Sequence, residues 1–459
     1  MLNHSGKPLL QILLASVLAS ALAGCGGSDG PPIVAPQAEP LTPPPAVALT
    51  IQVAGDVKLA EGLRLLRGEW KARSGGELKV DSVSLEELLN AERLDGDVIL
   101  FPSRLLGTLV ERGDLRPLRT SALSSPELGL NDIYPAVRNG EMKFGGQYYA
   151  FPLGSPPLLG FRQLPEDGAA NKTAQATVVP TDGLSAAYAF ILQALGHTES
   201  YRRSEALFNP ADMKPRIAEP QFVRALAELT AANASRANQP PVGFAEAMQL
   251  VGRGEASSTL GWPSALDEEF AAADGAAPRD AEFTAVTPPT VVYSQSRRSW
   301  EKETNPSAVV LLGFEGRLVA VTTATRNAVP AFQLAQWLTA GDVAVGLSSR
   351  SNGTLWYRAS QAGASSKWMK GLKVAKEGEP VTKIVATALA SDSPVLIPRI
   401  PAIDEYLGVL ANAVRTAPAD EATAKASLDG VAGKWEEITN RLGRDHQAAA
   451  YRRHLGETE

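Results

Sequence analysis

The side chains able to do covalent or acid–base chemistry are few. Cys25 is the only cysteine in 459 residues, so no internal disulfide can form, and a lone exposed thiol is a liability to oxidation unless it is used. The four histidines are His4, His197, His446 and His454. They lie far apart in sequence and suggest neither a metal cluster nor a Ser-His pair. No Walker loop, G-x-G-x-x-G or H-E-x-x-H occurs. Carboxylates are plentiful, so a glycosidase built on two of them is not excluded by composition, but nothing in the sequence places two on one cleft. The expectation is a chain with no catalytic residues, metal or cofactor.

The surroundings of Cys25 give the thiol a use. One lysine, Lys7, precedes an apolar run from Leu9 to Ala23, which is shorter than the roughly 20 residues a spanning helix needs. A basic start, a short apolar run and small residues at its end make a secretory signal. Ala21-Leu22-Ala23 suits ordinary cleavage, while Leu22-Ala23-Gly24-Cys25 resembles the bacterial lipobox, in which the cysteine is lipidated and becomes the new N-terminus. The lipobox is the better reading, because it explains the lone cysteine. Residues 1–24 are then the signal peptide. Residues 25–46 are a tether with seven prolines between Pro31 and Pro45, reaching roughly 60 Å at about 3.1 Å per residue. A net charge of −6 without a basic block argues against nucleic acid.

From residue 47 the pattern alternates. "ALTIQVAG", "ELKVDSV" and "DVILFP" read as strands. Between them fall an apolar stripe at Leu59, Leu63, Leu66 and Trp70, and a capping box at Ser84-Leu85-Glu86-Glu87. Ser103 is expected to cap "RLLGTLVERG". Strand–helix repeats of this kind build a parallel α/β sheet. Residues 184–280 are mainly helical, as are the last hundred. Trp70, Trp337 and Trp435 sit on helical stripes and are expected in the core. Trp300 could be a flap or simple packing, and the final ~60 residues, read as solvated helix and tail, carry no assigned role.

Five stretches in order resemble the substrate-binding lipoproteins of ABC importers, the extracellular solute-binding group that includes maltose-binding protein. They are "GDVILFPSRLLGTLVERGDLRPL" (96–118), "GQYYAFPLGSPPLLGFR" (146–162), "GEASSTLGWP" (254–263), "LLGFEGRLVAVTTATRNAVPAFQLAQWLTA" (311–340) and "PRIPAIDEYLGVLANAV" (398–414). The resemblance implies an α/β, periplasmic-binding-protein-like type II fold with two hinged lobes around a ligand cleft. The boundaries it suggests are 48–152 plus 305–345 for lobe one and 153–304 plus 346–459 for lobe two. It implies that Phe101, Ser103 and Arg104 lie on a cleft loop, Ser155 on the hinge-side cleft wall, and Trp262 in the cleft as a stacking platform for sugar. Tyr406 and Trp356 are further candidates. Where many sugar-binding relatives carry a carboxylate, this chain has Ser155-Pro156-Pro157, which sets it apart from them. The implied partners are a small solute such as a carbohydrate, the permease subunits and, through Cys25, a membrane. The implied protein is a monomer in the cell envelope. The alternatives are a lipoprotein presenting ligand to a sensor or, more remotely, a periplasmic glycan-acting enzyme.

Overall fold

A computed structural model describes residues 46–164, 177–236, 238–266, 280–303, 306–370, 380–391, 394–417 and 420–458. Cys25, the signal and nearly all of the tether lie outside the described residues. Eight strands organise the rest: Leu49–Ala54 (β1), Leu78–Val83 (β2), Val98–Pro102 (β3), Phe151–Gly154 (β4), Leu159–Gln163 (β5), Ser258–Gly261 (β6), Ala281–Thr284 (β7) and Arg317–Val321 (β8).

Five of them form one sheet in the order β2-β1-β3-β8-β4. β1 pairs in parallel with β2 and β3, and β8 runs antiparallel to both β3 and β4. Every residue of β3 and β8 is buried, as expected of central strands covered on both faces, which read as unbroken apolar runs. The second sheet, β6-β5-β7, is antiparallel. Both belong to one unit, Ala46–Glu459. The helix Gly183–Gly196, buried along most of its length, packs beside the helices Pro220–Ala232 and Ile403–Thr416.

Local signals act mostly as read. The Ser84 hydroxyl accepts from the Glu87 amide at 3.0 Å, and the Glu87 carboxylate accepts from the Ser84 amide at 2.7 Å. The Leu59–Trp70 stripe is broken in two: Val57–Leu65 ends and Arg67–Ser74 begins at Leu66. Trp70 still reaches the core, 5.5 Å from the ring of Trp337. Ser103 caps nothing. It opens a 3₁₀ turn, Ser103–Leu105, ahead of the helix Leu106–Glu111, and so lies inside the first turn and not at the cap position; its amide donates to the Gly316 carbonyl at 2.7 Å. The C-terminal helices are more than a solvated tail: Phe208 stacks on Trp435 at 4.8 Å and meets Tyr451 edge-on at 5.6 Å. Among the described residues no helix is long and apolar enough to cross a membrane.

Candidate functional site

The carboxyl ends of β1, β3 and β4 and the start of β8 lie at one edge of the large sheet, the edge where open α/β sheets place ligands. Asp56 follows β1, Ser103 and Arg104 follow β3, Ser155 follows β4, and Glu315 precedes β8.

Arg104 is the centre of this edge and only 3% exposed. Its Nε donates to Asp404 Oδ1 at 2.7 Å and its Nη2 to Asp404 Oδ2 at 3.3 Å, while Nη1 donates to the Phe314 carbonyl at 3.1 Å and to Glu315 Oε1 at 3.3 Å. Burial opposes the charge, but Glu315 and Asp404 outweigh it and raise the guanidinium pKa above its ordinary value. The Arg104–Asp404 pair is the planar two-bond fork that arginine favours. Next to it Arg317 donates to Asp56 Oδ2 at 3.1 Å and to the Glu315 carbonyl at 2.8 Å. Asp56 also accepts from the Leu59 amide at 3.0 Å, capping the first helix, and from the Ser351 hydroxyl.

A carboxylate does stand beside Ser155, supplied from an earlier segment. Glu141, on the turn Val137–Glu141, accepts from the Ser155 hydroxyl and from the Gly313 amide at 3.1 Å. Burial raises its pKa; hydrogen bonds from Ser155 and Gly313 and the charge of Arg399 pull it back only in part. A carboxyl whose pKa is higher folded than unfolded contributes stability fully present below its unfolded value, about 4.3, and lost as pH rises through the folded one. Glu141→Gln keeps the amide acceptor without the charge. It should therefore be more stable than the parent at pH 7, with the advantage fading by pH 4. Urea melts at both pH values check this, and a variant weaker than the parent at pH 7 would show that the charge is needed.

An aromatic cluster adjoins Phe314. The Trp262 Nε1 donates to the Asn352 carbonyl at 2.7 Å, and its ring meets Phe244 at 5.1 Å and Phe314 at 5.5 Å. Tyr188 lies 5.2 Å from Phe314. Its buried hydroxyl has no hydrogen-bond partner among the described residues; burial raises its pKa, with Arg104 opposing.

Of the residues singled out from sequence, Ser103, Arg104, Ser155 and Trp262 converge here. Phe314 joins Arg104 to Trp262, and the Glu141 carboxylate accepts from Ser155. Three do not converge. Phe101 is a fully buried β3 residue. Tyr406 is core as well: its hydroxyl bonds Thr439 Oγ1 at 2.8 Å, and Phe208 and Trp435 surround its ring. Trp356 is buried against Trp368 at 5.8 Å. Each is fully buried, with 0% of its surface exposed. Trp300 is partly exposed and packs on His197, Tyr293 and Arg224. Sequence reasoning missed Asp56, Glu141, Tyr188, Glu315, Arg317 and Asp404. Only Asp404, in the first turn after "PRIP", had a local signal.

No protein-family model and no curated protein sequence matches the chain. Solved structures do. A solute-binding protein of an ABC transporter from Agrobacterium radiobacter K84, in complex with ribitol, superposes with a TM-score of 0.59 at 17% identity, covering 85% of this chain and 98% of that one. One from Agrobacterium vitis S4 with bound D-mannitol gives 0.58 at 16%, over 87% and 99%. The maltotriose-binding protein of Thermus thermophilus gives 0.58 at 17%, over 86% and 100%. At such identities the likeness is one of fold: this chain has the mixed α/β, periplasmic-binding-protein-like fold of ABC-transporter solute-binding proteins.

Proposed function

We propose that the chain is a lipid-anchored solute-binding protein. It is held to a membrane in the cell envelope by acylated Cys25, binds a polyhydroxylated solute such as a sugar or polyol, and delivers it to ABC permease subunits as a monomer without turnover. The observation that carries this reading is the gathering of Asp56, Arg104, Arg317 and Ser155 at the strand ends, with Trp262 joined to Arg104 through Phe314. Charged donors and acceptors suit hydroxyls, and an indole suits the apolar face of a sugar. The fold supports it, as do the ribitol, mannitol and maltotriose held by the similar structures. The two sheets would mark the two lobes, 48–152 plus 305–345 and 153–304 plus 346–459. Trp262 is 6% exposed, so hinge opening would admit the solute and closure would bury it.

The test uses the full chain in mild detergent. Cys25→Ser should move the protein from the membrane fraction to the soluble one. Thermal melts are run against polyols, mono- and oligosaccharides. A ligand at about 100 times its Kd adds ~2.7 kcal/mol, which is a rise of several degrees. Trp262→Ala should abolish that rise, and Trp262→Phe should keep part of it. A cooperative melt that no solute moves would sink solute capture and leave the sensor-serving reading.

A further inference from the structure

A second site lies behind Glu141. The side chain of Glu141 points toward Ser155 and Gly313, but its main-chain oxygen is bound by Arg399 at 3.2 Å. Arg399 is 2% exposed, and its Nη1 also takes the carbonyls of Gly140 at 3.1 Å and Lys143 at 2.8 Å. Its Nε faces His454 Nδ1 at 3.3 Å. These bonds give Nε and Nη1 neutral acceptors, and the Glu141 carboxylate acts on the charge only from a distance. No carboxylate lies within ion-pair reach of Arg399 among the described residues, and its Nη2 finds no acceptor among them. Burial consequently pulls the guanidinium pKa down to about 10, with Glu141 working the other way. Burial likewise holds His454 neutral, its pKa well below the usual histidine value.

The guanidinium borders a cavity of about 390 Å³, many times the ~30 Å³ share of one liquid water. Three basic side chains line it, Lys143, Arg399 and Arg453, and no described Asp or Glu does. Arg453 is neutralised by Glu111, at 2.7 and 2.5 Å. The Lys143 ammonium sits 4.5 Å over the Tyr148 ring and has no carboxylate partner. Among the described residues, Arg399 and Lys143 are therefore the positively charged lining side chains without a carboxylate partner. A buried charge without a counter-charge is costly, and an oxyanion reaching Arg399 Nη2 would supply both the missing charge and the missing acceptor.

We propose that this cavity binds a small oxyanion, a phosphate or carboxylate group, held by Arg399 and Lys143. It is a site separate from the strand-end edge and does not depend on the solute reading.

Calorimetric titration of the full chain in mild detergent tests it, with inorganic phosphate and succinate as probes and chloride at matched ionic strength as the control. Saturable binding and a raised melting temperature with phosphate or succinate, absent with chloride, are expected. Whichever probe binds tells a phosphate site from a carboxylate site. Arg399→Ala risks misfolding, since three carbonyls depend on that side chain, so the deciding variant is Lys143→Glu. It places a carboxylate at the cavity wall, and about tenfold or greater loss of oxyanion affinity is expected, with solute response and cooperative melting kept. Trp262→Phe should leave the phosphate response intact. Absence of oxyanion binding in the parent chain, or parent-like binding in Lys143→Glu, would overturn the proposal.

Discussion

Arg104→Ala lowers the unfolding free energy by about 3–5 kcal/mol, the cost of breaking a buried ion pair from one side. The arginine itself is almost wholly enclosed, while its partners Glu315 and Asp404 keep 26% and 23% of their side-chain surface. The carboxylates left behind can recruit some water, which places the expected loss toward the lower end. What does not recover is the link between distant segments. One guanidinium ties the turn after β3, the Phe314 carbonyl and the first turn of the helix Ile403–Thr416. Asp404→Asn leaves a neutral acceptor and should cost less. Because the two residues touch, their effects should not add; coupling of about 0.5–3 kcal/mol is expected in a double-mutant cycle. Urea denaturation of the four proteins measures all of this. A loss below ~1 kcal/mol for Arg104→Ala would mean that the pair behaves like an exposed one.

Gly107→Ala is expected to be as damaging through a different cause. A β-carbon there would lie 1.6 Å from the Arg399 carbonyl oxygen and 2.6 Å from Phe144 Cε2. The carbonyl cannot withdraw easily, since the next one, of Ile400, holds the Thr108 hydroxyl at 3.1 Å. Overpacking commonly costs about 1–3 kcal/mol, and a clash with main chain belongs at or beyond the top of that range. Gly408→Ala is the control. It lies in the helix Ile403–Thr416 with nothing within 4 Å of the added carbon, where alanine is favoured over glycine by about 0.5–1 kcal/mol. Opposite shifts in melting temperature for the two substitutions are expected. A tolerated Gly107→Ala would mean that the helix Leu106–Glu111 and residue 399 are less closely packed.

What the sequence determined by itself is whatever short-range rules govern. The run Val98–Pro102 is apolar without a break because both faces of its strand are covered, and that pattern is visible in a single line of residues. The Ser84–Glu87 box starts its helix through bonds spanning three residues. Trp70, Trp337 and Trp435 fall on apolar stripes and reach the core as that spacing demands. The order of five stretches led to the fold. Only the tertiary structure decided which polar groups meet. Arg104 and Asp404 are separated by 300 positions, Arg317 and Asp56 by 261, and no periodicity spans such a distance. Tyr406 and Trp356 lie buried away from the strand-end cluster for a related reason. An aromatic residue on such a stretch has the same local pattern whether its ring meets a ligand or a neighbouring helix, and contacts with Phe208, Trp435 and Trp368 come from elsewhere in the chain. The Glu141 carboxylate that meets Ser155 comes from 14 positions earlier in the chain, a pairing that no local pattern announces.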